Sequence, residues 1–133
     1  MDAEARHWHY VLGPDTAQTS RPGMMCMRYV LESLPDHGAE SDGRRNDVLL
    51  VMSELLSNAC QHAFGPVCLD IGLDDGRLTV AVTDRSFAVP VLQPWQPGEP
   101  HGHGLHIIDC LATDWGVTPV SGGKTVWATL PAP

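Results

Sequence analysis

The sequence predicts an α+β fold: a two-layer α/β sandwich, with a mostly antiparallel mixed sheet in one layer and about three helices covering it. Two pairs of short apolar–polar alternating runs, each joined by a Gly-containing turn, supply most of the sheet. Two stretches with helix signals, one of them long, supply most of the other layer. A length of 133 residues leaves room for a single domain, residues 1–133, and suffices to bury one core without a disulfide or metal.

Residues 7–12 (HWHYVL) read as a short strand stopped by Gly13-Pro14. A helix is expected over 21–34: Ser20 is the N-cap candidate, Pro22 suits a first turn, and Pro35 cannot continue the helix. Met24, Met27, Val30, Leu31 and Leu34 recur at steps of three and four. A polar linker, DHGAESDGRR, leads to a longer helix over 44–64, stopped by Gly65-Pro66. Strands follow at 67–73 and 77–84, joined by Asp74-Asp75-Gly76, a strong hairpin signal. Residues 85–104 form a Pro-rich loop that lacks periodicity and ends in HGHG. A short helix over 105–111 and strands at 113–120 and 124–130, separated by Ser121-Gly122-Gly123, close the chain.

Composition narrows the function. Sixteen acidic residues against eight basic ones give a net charge of −8, which argues against direct nucleic-acid binding, since that needs a basic face. No apolar run reaches the roughly 20 residues that span a bilayer, and the first residues do not resemble a signal peptide. Cys26, Cys60, Cys68 and Cys110 form no C-x-x-C pair, so free thiols in a reducing cytoplasm are expected, three of them buried in apolar runs.

Three features carry chemistry. On the long helix, steps of about 100° per residue place Asp47, Glu54, Asn58 and Gln61 on one narrow stripe, with Leu49, Met52, Leu56, Ala59 and Ala63 opposite. An Asn oxygen suits Mg²⁺, which takes hard oxygen ligands and keeps several waters, and a Glu one turn earlier could accept a proton from a hydroxyl. The alternative is a half-exposed helix with incidental polar residues. GHGL (102–105) opens a helix, where glycines admit backbone N–H groups to a phosphate; a flexible capping turn would look the same. Thr83-Asp84 ends a strand, where a carboxylate could accept the amino group of adenine or simply form a turn.

Taken together and in order, these segments resemble one family. SELLSNACQHA (53–63) is similar to the N-box of GHKL (Bergerat-fold, HATPase_c) ATP-binding domains, and GHGLHII (102–108) to the glycine box that ends their lid. VTDRS (82–86) stands where their adenine-binding Asp stands, and GGKTVWATLP (122–131) resembles their last conserved strand. The likeness is strongest to RsbW-like anti-sigma factors and serine-protein kinases of actinobacterial type. It implies ATP and Mg²⁺ as cofactors, with Glu54 as catalytic general base and Asn58 as the Mg²⁺ ligand. By the same resemblance Asp84 binds adenine, Gly102, Gly104 and Leu105 line the phosphates, and Thr125 completes the base pocket. It further implies an anti-sigma factor that phosphorylates a Ser/Thr of a STAS-domain anti-anti-sigma factor, with a sigma factor as second partner; a homodimer is compatible with it. The sequence departs from the family after Asp84, where the D-x-G-x-G glycines are missing, and at Gln61, where many relatives carry a basic residue.

Two other readings compete. One is a pseudo-ATPase scaffold that keeps the fold and partner surface without nucleotide turnover. The other is metal binding by His101, His103 and His106, with His7 and His9 elsewhere; no neighbouring Cys or acid completes an evident tetrahedral set in the sequence.

Overall fold

The computed structural model describes residues 5–13, 19–36, 38–62, 65–92 and 104–133. Chain order is β1 (Arg6–Val11), α1 (Arg21–Glu32), α2 (Ala39–His62), β2 (Pro66–Asp74), β3 (Arg77–Asp84), α3 (Gly104–Leu111), β4 (Asp114–Val120) and β5 (Gly123–Pro131). The five strands form one sheet in the order β1-β2-β3-β5-β4, and every neighbouring pair is antiparallel. The α+β sandwich is therefore as expected, with a wholly antiparallel sheet in place of a mixed one.

The hairpin between β2 and β3 follows from local chemistry. Asp74 pairs with Arg77, leaving a two-residue loop in which Asp75 (φ 52°) and Gly76 (φ 74°) both adopt positive φ. That is the geometry of the turn whose twist matches a right-handed strand pair, and Asp-Gly tolerates it best.

Strand alternation builds the core. Leu69 and Ile71 of β2, Leu78, Val80 and Val82 of β3, and Val126, Ala128 and Leu130 of β5 point to one face and are buried. Helix α2 lies over them with Val48, Val51, Met52, Leu55, Leu56 and Ala59, flanked by Met27, Val30 and Leu31 of α1 and by Ile108 of α3. The buried arc of α2 is thus rotated from the expected one: it centres on Val48, Met52, Leu55 and Ala59, while Leu49 is only half-buried. The polar stripe consequently runs along one margin of the buried face and not opposite to it.

Two boundaries differ from expectation. Helix α2 begins at Ala39, so most of the polar linker is its first turns. The reason is tertiary: the Arg45 guanidinium donates to the carbonyls of Leu31, Leu34 and Pro35, capping the end of α1 and pinning α2 beside it. Helix α1 ends at Glu32, and Ser20 occupies its N-cap position without a side-chain cap hydrogen bond. None of the four free cysteines is fully buried; Cys110 is exposed and the other three are half-buried.

Candidate functional site

The margin of α2 meets the start of α3. A Cβ built on Gly104 would lie 2.6 Å from Glu54 Oε2, so the missing side chain at Gly104 is what lets the Glu54 carboxylate reach the first turn of α3. Burial pushes the Glu54 carboxyl above the usual carboxylate range. Asn58, one turn along, is half-buried on the same margin, and Gln61 beyond it donates to Ser57 Oγ at 3.2 Å. Leu105 packs, half-buried, against the core. Gly102 lies outside the described residues, as do His101, His103 and the expected lid beyond Leu92.

The ends of β3 and β5 form the other part. Asp84 and Lys124 are register partners on the helix-facing side of the sheet, continuing the alternation of Val82 and Val126. Their side chains are 1% and 3% exposed, and Lys124 Nζ lies 3.0 Å from Asp84 Oδ1 and 2.9 Å from Oδ2. Asp84 Oδ1 also accepts the Ser86 backbone N–H at 2.9 Å. A carboxylate offers about four lone-pair sites. Lys124 and Ser86 account for three of them, which among the described residues leaves one acceptor direction on Oδ2.

Beside the pair, the two strand ends approach each other closely. A Cβ on Gly123 would fall 1.9 Å from the Asp84 carbonyl oxygen, so only glycine allows β5 to start across the end of β3. Thr125 points the other way. Its Oγ1 lies 2.7 Å from Thr83 Oγ1, and both alternate with the buried residues, which places them on the sheet face away from the helices. The structure brings Glu54 and Gly104 together, sets Asn58 one helical turn from Glu54, places Asp84 on the same side of the sheet, and leaves Thr125 on the other side.

This arrangement can be set beside known proteins. The pattern of the histidine kinase-like ATPase domain matches residues 23–130, which spans α1 to the end of β5. The chain belongs to the histidine kinase-like ATPase domain family. No curated protein matches it. Among solved structures it is similar to the RsbU and RsbW domains of Rv1364c from Mycobacterium tuberculosis, at 20% identity with a TM-score of 0.66. That match covers 95% of this chain but 32% of the other, so the likeness is one of fold and this chain spans about a third of that protein.

For an ATPase domain of this family, the residue that sequence reasoning missed is Lys124. It is the only lysine in the chain, and it is the residue of β5 that faces Asp84. Stepping back by twos from Leu130, Ala128 and Val126 reaches Lys124 and would have placed it on the core side beside Asp84.

Among the described residues, no helix is long and apolar enough to cross a membrane.

Proposed function

We propose that the chain is an ATP-binding regulatory protein that acts as an anti-sigma factor in the cytoplasm, with its nucleotide held between the α2 margin, the start of α3 and the Asp84 end of β3. The observation that carries this reading is the approach of Glu54 to Gly104, with Asn58 one helical turn along, within a chain whose family is one of ATPase domains. The donor chemistry fits the phosphate end. The Asn58 amide oxygen is a suitable hard ligand for Mg²⁺, and the first turn of α3 presents backbone N–H groups to negative charge. At the base end Asp84 retains one acceptor direction, but its side chain is 1% exposed, so adenine reaches it only when that end of the sheet opens.

Bound ATP would supply the phosphoryl group. Glu54 would take the proton of an incoming Ser/Thr hydroxyl, a role favoured by its raised pKa, since a carboxyl titrating nearer neutrality is the better base. The acceptor proposed is a STAS-domain anti-anti-sigma factor, and the protein released or held in exchange is a sigma factor. General-base assistance contributes about 10²–10⁴ in rate. Glu54→Ala should therefore lower transfer to such an acceptor by that order while leaving ATP affinity nearly intact; transfer at the parental rate would remove Glu54 from the role.

The sealed Asp84–Lys124 pair and the missing glycines after Asp84 favour a second reading, a pseudo-ATPase scaffold. Calorimetric titration with ATP and ADP, with and without Mg²⁺, separates the two. The first reading expects Mg²⁺-dependent binding that Asn58→Ala weakens. No heat of binding at millimolar nucleotide would leave the scaffold reading.

A further inference from the structure

Strand β1 carries His7 and His9 on the sheet face away from the helices, because Trp8 and Tyr10 between and beside them pack against the core. On β2, Leu69 and Ile71 point inward, so Cys68 and Asp70 share the outer face with the two histidines. The register sets His9 directly opposite Asp70, with Val11 opposite Cys68 and His7 opposite Gly72. Four donor-bearing side chains from two neighbouring strands therefore share one face around Asp70. Donor atoms of His9, Cys68 and Asp70 all lie within 4.8 Å of one another. His9 Nδ1 is 2.7 Å and His7 Nε2 is 3.3 Å from the same carboxylate oxygen, Asp70 Oδ1.

We infer that His9, Cys68 and Asp70, with His7 as fourth ligand, form a binding site for a divalent transition-metal ion of the zinc type. Imidazole, thiolate and carboxylate are the donors zinc takes, at bond lengths of about 2.0–2.3 Å. In a tetrahedron of that size neighbouring donors stand about 3.3–3.8 Å apart. The His9–Asp70 separation of 2.7 Å and the 4.8 Å limit on the His9, Cys68 and Asp70 donors put these three close to such a tetrahedron, and His7, 3.3 Å from Asp70 Oδ1, would have to swing in to complete it. The thiolate and carboxylate together neutralise the 2+ charge, and both histidines bind as neutral imidazoles, one nitrogen on the ion. The sequence alone could not show this: His7 and His9 lie some sixty residues from Cys68 and Asp70, and only the β1–β2 pairing joins them. The ion would tie an edge strand, bonded on one side only, to the rest of the sheet.

The test uses the full chain, reduced and stripped of metal, titrated with Zn²⁺ by calorimetry and with Co²⁺ by absorption. One ion per chain is expected, with a near-ultraviolet thiolate-to-cobalt band and tetrahedral visible bands. Cys68→Ser should abolish the thiolate band. Because losing even an outer-shell partner costs about 10–100-fold in affinity, His9→Ala and Asp70→Asn should each weaken binding by at least that much. Zn²⁺ should raise the melting temperature of the parent and fail to raise that of His9→Ala. His103→Ala should bind as the parent does. Should Cys68→Ser not fold, His9→Gln provides the same comparison. No binding below millimolar metal, or binding that survives Cys68→Ser and His9→Ala but falls with His103→Ala, would overturn the assignment.

Discussion

At the scale of single residues, the Asp84–Lys124 pair sets the largest expectations. Two charges this far out of water hold each other, and removing one partner leaves the other uncompensated, at a cost of about 3–5 kcal/mol. Lys124→Met should lower unfolding free energy by that order in a denaturant titration. The double variant Lys124→Met with Asp84→Asn should recover most of the loss, since the Asn oxygen still accepts the Ser86 N–H and no charge remains buried. A double variant no more stable than Lys124→Met would mean that the pair is not what Lys124 contributes. For the same reason Asp84→Asn alone disturbs Lys124 as well as any nucleotide contact, so its effect on ATP binding has to be read beside its effect on unfolding.

Glu54 gives a pH-dependent prediction. Its folded-state pKa is raised by burial, so the folded chain holds that proton more tightly than the unfolded chain does. The group costs nothing below the usual carboxylate range and destabilises progressively as pH rises through that range to its raised value. Glu54→Gln should therefore be more stable than the parent at pH 7 and equal to it in strong acid. Unfolding titrations of both proteins across that span check it, and a gap that persists unchanged at low pH would rule out ionisation as the cause.

At the scale of elements, close backbone approach separates the two site glycines. The atom facing Gly104 is the far end of a flexible side chain, so Gly104→Ala should displace the Glu54 carboxylate with little loss of stability. The atom facing Gly123 is a backbone carbonyl, so Gly123→Ala must shift β5 from β3, and overpacking of this kind costs about 1–3 kcal/mol or more. Thermal melts of the two variants should differ accordingly. Legibility divides along similar lines. Strands β2, β3 and β5 were readable because a buried sheet face imposes a period of two, and the Asp75-Gly76 turn because few dipeptides accept positive φ twice. The first turns of α2 were not, since Ala39 to Gly43 carry no apolar periodicity and are held by the contacts of Arg45 with α1.

At the scale of the whole molecule, the sandwich and the order of the motifs were legible, while their convergence was not. That Glu54 meets Gly104 depends on α3 packing back on α2 across fifty residues of intervening chain. Spacing within one helix is fixed by its pitch; spacing between helices is fixed by the sheet beneath them. The same holds for β5, where the pleat sets Lys124 beside Asp84 and Thr125 on the opposite face.

Because Lys124 is the only lysine, the chain has a single side-chain primary amine, and it is sealed. An amine-acylating reagent should leave Lys124 untouched until the chain unfolds or this end of the sheet opens. Labelling followed by intact-mass measurement would then time that opening directly, one acyl group per molecule, without any probe having to be introduced. A nucleotide that parts Asp84 from Lys124 would likewise announce itself as modification at Lys124.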